Sequence, residues 1–512
     1  MSGIVRGDQI REDVVLTPDL CVVGSGPGGA IVASRLADAG AEVVVLEEGG
    51  HYTKADFDMQ EATAYPHLYQ DRGNRATADL SIAVLQGRAV GGGTVVNWTT
   101  SFRTPDDVID SWREKDGATV TPEALRLHFE EVEKRLGIQK VDLDDVNANN
   151  RALYDGCKKM GWSVDTTRRN VRECLRTGYC GMGCPVDAKQ SAALTYLPHA
   201  VSRGATIYAN CRARRIEWDG TRAQAVVGEV LHPGTQQQTG RTIRVEPREL
   251  VVSCGALNSP ALLLRSGLAQ GPVGKKTWLH PTIAMVAMYR DAIEGFYGAP
   301  QSVASHHFAR RAPHAGFFME ASPVHPMLAG IAFPGFGAQL TSQMALLPNV
   351  AVSIALMIDG FGEGEEGGTV SLRPDGAPSL DYPLGERHQE CFRAAMKALA
   401  QAHLANGALR VSSLHLPAVV VRSEKDLGAL DAAPLGPNQC GVFTAHQMGG
   451  CRMGSDPAKS VVRPDLRHHY IDNLWVVDGS VFPTGLGVNP MESIYAVGSW
   501  AAQHVRAALA KA

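Results

Sequence analysis

The chain has no uncharged apolar run of about eighteen residues or more, the length a membrane-spanning helix needs, so no integral membrane segment is expected. Its opening residues, MSGIVRGDQIREDVVLTPDL, lack the apolar core of a signal peptide. That makes the cytoplasm the expected compartment, with export beside a partner subunit left open. A formal net charge of −4 supplies no positive field, which excludes nucleic acid as a partner. Internal repeats and low-complexity segments are missing too, so solenoids and disordered linkers are set aside. Structural disulfides are rare in the expected compartment, so the ten cysteines read as reduced thiols unless some bind metal.

What the chain does have is glycine in particular places. At 512 residues it is too long for one core, and two domains are expected. Near the N-terminus, DLCVV reads as a buried strand, GSGPGGA as a turn and IVASRLADAG as a helix, followed by AEVVVLEEGG as a second buried strand. Gly24, Gly26 and Gly29 form GxGxxG between strand and helix, with Ser25 inside the turn. The first glycine permits the tight turn, the second admits a pyrophosphate to the backbone, and the third lets helix and strand pack closely. The helix N-terminus then offers free N–H groups to phosphate. Glu47 ends the second strand 21 residues after Gly26, where an acid accepts ribose hydroxyls and favours a 2′-hydroxyl over a 2′-phosphate. None of this separates NAD from FAD.

Four further stretches do. GRAVGGGTVVNW (87–98), GALNSPALLLRSG (255–267), HQMGGCRMG (446–454) and NLWVVDGSVFPTGLGVNPMESIYA (473–496) occur in one order with the N-terminal unit. On these residues the chain resembles the glucose–methanol–choline flavoprotein oxidoreductases. The resemblance implies an α/β fold: a Rossmann-like FAD-binding domain plus an α+β substrate domain with an antiparallel sheet. It places the FAD domain at 1–104, 205–279 and 436–512, and the substrate domain at 105–204 and 280–435. By the same resemblance Gly24, Gly26, Gly29 and Glu47 hold the ADP half. Arg88, Gly92, Gly93, Thr94 and Asn97 run along the pyrophosphate and flavin, Ala213 offers backbone to adenine, and Asp478 and Gly479 lie near the ribityl chain. Asn489 and Pro490 complete the flavin side. The second loop contains no histidine to attach the flavin, so noncovalent FAD is expected.

The resemblance also sets His446 and Asn489 at the active-site positions. Alcohol oxidation needs a hydroxyl proton removed and a hydride transferred to flavin. Histidine is the side chain that titrates in the right range to serve as base, and an amide orients the oxygen. Asparagine at the second position, with the form of the second loop, resembles the cholesterol-oxidase and long-chain-alcohol-oxidase branches, which act on large apolar alcohols. Phe317, Phe318, Met319, Met327, Phe333, Phe336, Met344, Met357 and Phe361 are the candidate apolar lining. The electrons are expected to go to an acceptor protein or quinone. Oxygen, giving hydrogen peroxide, is the first alternative. An NAD-dependent dehydrogenase is opposed by the C-terminal motifs, and a lyase or photoenzyme of this fold is the alternative from another class.

Cys174, Cys180 and Cys184 form C-x5-C-x3-C followed by proline. This stretch resembles one in bacterial FAD-dependent sugar dehydrogenases, where it holds a three-iron, four-sulfide cluster. A loop of free thiols, or one disulfide plus a thiol, are the other readings.

Overall fold

A computed structural model describes residues 3–311, 314–362 and 364–511. Leu20–Val23 and Val43–Glu47 are buried at every position, as continuous Val and Leu runs in a parallel sheet must be. They belong to a six-stranded, wholly parallel sheet in the order Gly3–Val5, Thr206–Ala209, Val43–Glu47, Leu20–Val23, Glu249–Val252, Leu474–Val476. The chain leaves Leu20–Val23 on one side and returns on the other, so the crevice lies beyond the carboxyl end of that strand. Helix Pro27–Asp38 starts there, with Gly26 as N-cap and proline in its first turn. Helix Met491–Leu509 packs across it so closely that a Cβ on Gly498 would stand 2.7 Å from Ile31.

The second layer is a nine-stranded sheet whose central strands are Thr282–Met288, Val350–Met357 and Phe317–Ala321, paired antiparallel. Alternation divides their side chains. Ile283, Met285, Ala351, Ala355, Phe317, Met319 and Met357 pack with Phe392 and Met396 of helix Glu386–Ala405. Ala284, Val352, Ile354, Leu356 and Phe318 form a separate cluster with Phe333 on the opposite face. The fold expected from the sequence is therefore present. Ile82–Val84 and Val442–Thr444 lie in segments assigned above to nucleotide binding, yet both pair into this second sheet.

Candidate active site

One cavity of about 1550 Å³ extends from the carboxyl ends of the parallel strands to the second sheet. At the first end the loop 24–26 is shaped by contacts only glycine allows. Gly24 has φ +98°, and a Cβ there would meet Ser253 O at 2.2 Å. A Cβ on Gly29 would stand 2.1 Å from Gly24 O. Gly26 and Gly93 are different: both line the cavity, and among the described residues no neighbouring atom lies within 4 Å of where their Cβ would be. They leave backbone bare towards open space. Gly92 (φ +56°) joins the two loops, since its Cβ would stand 2.7 Å from Gly26 Cα.

Glu47 is spent partly on holding this loop. Its Oε2 accepts from Ser25 N–H (3.0 Å) and Oγ–H (2.6 Å), and its Oε1 from Gly49 N–H (2.7 Å). Burial raises its pKa. Asp478 fixes the opposite wall by accepting from Ser259 Oγ–H (2.5 Å), Gly255 N–H (2.8 Å) and Ser480 N–H (2.8 Å). Gly24, Ser25, Gly26, Glu47, Gly92, Gly93, Thr94, Asn97, Ala213, Asp478, Gly479, Asn489 and Pro490 all line the cavity. Gly29 and Arg88 are not in its lining. Gly29 serves the helix–strand contact. Arg88 braces Glu48, which Arg212 and Gln70 also hold. Burial works against ionisation of Glu48, but the Arg212 and Arg88 guanidiniums hold it down to about 2.

The loop 91–97 is tied from behind by Lys189, which sequence reasoning missed. Its buried ammonium donates to Val95 O, to Asn97 O (3.1 Å) and to Cys180 O (2.6 Å). Burial lowers it to about 8. Two residues on, Thr99 is a buried β-branched residue with φ +70°, a strained conformation kept by Arg169 Nε donating to its Oγ1 (2.7 Å).

At the other end His446 and Asn489 meet, with His446 Nε2 3.4 Å from Asn489 Nδ2. Burial lowers His446 to about 4, so it is neutral near pH 7. Its Nδ1 lies 3.0 Å from Nδ1 of His280, a buried residue no motif marked. Asn97 Nδ2 donates to Met491 Sδ (2.8 Å), while Oδ1 of Asn97 and Oδ1 of Asn489 are buried without a partner among the described residues. Two orphaned acceptors in the wall of one large cavity are the mark of a site completed by a ligand.

Glu320 also faces the Asn489 side chain. It stands across from Ile354 on the cavity side of the sheet, and neither carboxylate oxygen has a hydrogen-bond partner among the described residues. Its only signal in the sequence was a lone acid in the apolar stretch GFFMEA. Burial pushes it from 4.5 up to about 8, so it is uncharged at neutral pH. The unfolded chain ionises this group above 4.5 and the folded chain only near 8, so its contribution to stability falls across that window. Glu320→Gln should flatten the decline by up to about 1.4 kcal/mol per pH unit, measured by urea unfolding at several pH values. His446 works in the opposite sense: its contribution is lost as pH falls from 6.5 towards 4.

The apolar lining differs from the sequence expectation. Met327 and Phe333 line the cavity, joined by Thr282, Ala284, Val286, Val352, Ile354 and Leu356. Phe317, Met319 and Met357 point to the helix side, Phe318 packs edge-on to His280 at 5.5 Å, and Phe336 is 88% exposed. Met344 and Phe361 are outside the lining as well.

The cysteine loop is corrected too. Cys174, Cys180 and Cys184 are free thiols that border a space of about 10 Å³, room for no more than a water. Among the described residues no group of three or more His, Cys, Asp or Glu is arranged to hold a metal ion. The loop's glycines serve packing instead: a Cβ on Gly181 would meet Trp98 at 2.4 Å, and one on Gly183 would meet Phe57 at 2.3 Å. The residues do not fit a three-iron, four-sulfide cluster. Among the described residues, no helix is long and apolar enough to cross a membrane.

A dinucleotide-type crevice that runs into a buried histidine–asparagine pair under an apolar sheet defines an oxidoreductase class. Two family profiles, both described as GMC oxidoreductase, match residues 65–282 and 365–498. A long-chain-alcohol oxidase of Arabidopsis thaliana is 30% identical over 523 residues, covering 96% of this chain and 69% of that protein. An uncharacterized GMC-type oxidoreductase of Mycobacterium tuberculosis is 33% identical over 490 residues, covering 94% and 75%. The chain belongs to the GMC oxidoreductase family, and is an enzyme acting on CH–OH donors. Its fold is similar to that of pyridoxine 4-oxidase from Mesorbium loti (TM-score 0.71, 21% identity, 96% of this chain and 99% of that one). Formate oxidase of Aspergillus oryzae RIB40 is equally similar (TM-score 0.71, 16% identity, 97% and 99%).

Proposed function

We propose that the chain binds FAD noncovalently and oxidises a largely apolar alcohol to the aldehyde or ketone. The observation that carries this reading is the continuity of one cavity. Its first end bares Gly26 and Gly93, its middle holds the orphaned Asn97 Oδ1, and its far end holds His446, Asn489 and an apolar sheet face. Gly24 to Gly26 and the helix N-terminus behind them suit the pyrophosphate, Glu47 the ribose, and Ala213 the adenine. Asp478 and Gly479 suit the ribityl chain, and Gly92, Gly93, Thr94, Asn97 and Pro490 the ring system. FAD, when bound, takes up the hydride from the carbinol carbon. His446 accepts the hydroxyl proton and Asn489 orients the hydroxyl oxygen. Thr282, Ala284, Val286, Val352, Ile354 and Leu356 exclude water from the reacting carbon and receive the alkyl part.

Filling that chamber tests the substrate class. Ala284→Trp should raise KM for dodecanol by about five- to a hundredfold, since overpacking costs about 1–3 kcal/mol, and leave butanol nearly unaffected. Equal effects on both alcohols would place the alkyl chain elsewhere.

The electron acceptor is a second matter. A cysteine loop that does not fit a cluster removes the reason for a protein acceptor docked there, and the relatives' name as oxidases favours oxygen. Peroxide formed at the rate of alcohol loss supports an oxidase. Turnover that needs an added quinone supports a dehydrogenase.

A further inference from the structure

Residues 326–358 contain no Asp, Glu, Lys, Arg or His, in a chain that is 20% charged. Inside a sheet such a run is ordinary, and strand Val350–Met357 accounts for its last part. The rest is not inside. Helix Pro326–Ala332 buries only Ala329, and helix Ala338–Ala345 buries none of its side chains. An exposed helix ordinarily keeps a charged face towards water. The turn between the two carries Phe336 between Gly335 (φ +115°) and Gly337 (φ +56°), and Gln343 Nε2 ties it down by donating to Pro334 O (2.8 Å). The ring is held outward. Phe336 at 88% and Ile331 at 74% are the two most exposed large apolar side chains among the described residues. The acid that reaches this segment, Glu61, is buried and spent on accepting from the N–H groups of Met327 (2.6 Å) and Leu328 (2.9 Å).

Ile331 belongs to two surfaces at once: it is exposed to solvent, and it lines the cavity together with Met327 and Phe333. Phe333 packs in one cluster with Ala284 and Ile354 of the chamber, so the charge-free segment forms the rim of the cavity at its apolar end. We propose that residues 326–349 dock on a lipid bilayer with uncharged headgroups, with Phe336 inserted among the acyl chains and Ile331 at a mouth that opens to them. This inference rests on the reading of the chamber as the site of an apolar alcohol. Such an alcohol dissolves in the bilayer, and passage from acyl chains to sheet never exposes its alkyl part to water. Charge selects the surface. The segment offers no cation to anionic headgroups, and the chain's net charge of −4 opposes them, so apolar burial alone drives the contact. A second copy bound on this face would close the mouth that Ile331 borders, whereas a fluid surface leaves it open.

The test is co-sedimentation of the holoenzyme with vesicles of phosphatidylcholine, alone and with part of it replaced by phosphatidylserine. The expected result is binding to phosphatidylcholine alone, which phosphatidylserine does not strengthen and salt does not weaken. Phe336→Asp should weaken that binding at least about tenfold, the loss expected when one inserted aromatic side chain is removed. The same variant should turn over butanol in water at the wild-type rate, since Phe336 is outside the cavity lining and its exposed position tolerates the change. No binding to phosphatidylcholine, binding that appears only with phosphatidylserine, or equal binding by Phe336→Asp overturns the proposal. A dimer that Phe336→Asp dissolves, in place of vesicle binding, assigns the face to a second copy and overturns it too. Vesicle binding through Phe336 by a protein that oxidises no alcohol would sink the alcohol reading and leave the docking standing. Oxidation of dodecanol by a protein that ignores vesicles would do the reverse.

Discussion

His446→Ala lowers turnover of the alcohol by about 10²–10⁴-fold, the usual loss when a general base is removed, while the protein keeps its flavin. The two halves of that statement come from different ends of the cavity. His446 lines the end under the second sheet, and its polar neighbours are His280 and Asn489. The bare backbone of Gly26 and Gly93 is at the other end, so removal of the imidazole leaves the nucleotide site intact. Asn489→Ala should lose less, because an orienting amide moves no proton. Stopped-flow reduction under anaerobic conditions, with flavin content measured on the same sample, reads both. Wild-type reduction by His446→Ala would remove the base from this side chain.

Gly26→Val gives a folded protein that binds FAD about ten- to a hundredfold more weakly. Among the described residues no atom lies within 4 Å of the added Cβ, so the polypeptide does not resist the change, and on the proposed reading the side chain fills the space of the pyrophosphate. Gly29→Val is the contrast. Its Cβ would stand 2.1 Å from Gly24 O, so the strand–helix turn itself must give, and a lowered Tm or insoluble protein is expected. Calorimetry and flavin titration separate the two variants. A Gly26→Val protein that binds FAD like the wild type would mean that the cradle lies elsewhere.

Much of this was legible in the sequence because it is local. The strand, turn, helix and acid around Gly24 to Glu47 occupy under thirty consecutive residues, and their spacing reports their geometry directly. His446 and Asn489 were singled out by short motifs for the same reason, and the fold brings the two side chains together. The chamber was misread because alternation tells which residues of a strand share a face, not which face is covered by a helix. Phe317 and Met319 fell to helix Glu386–Ala405, more than sixty residues onward. His280 is 166 residues from His446, and Lys189 is 92 from Asn97, so no spacing could announce either. The cysteine loop misled for a physical reason: its glycines admit the rings of Trp98 and Phe57, which sequence spacing cannot distinguish from glycines that let thiolates converge.

The central claim is that one cavity joins FAD to an apolar alcohol. It is tested most directly by adding dodecanol, and separately a steroid alcohol, to the purified flavoprotein without oxygen and following the long-wavelength flavin band. Bleaching by at least one of them, with aldehyde or ketone formed in equal amount, is the predicted result. A protein that carries FAD but is bleached by no alcohol, apolar or polar, would contradict the account and favour a non-redox use of the same fold.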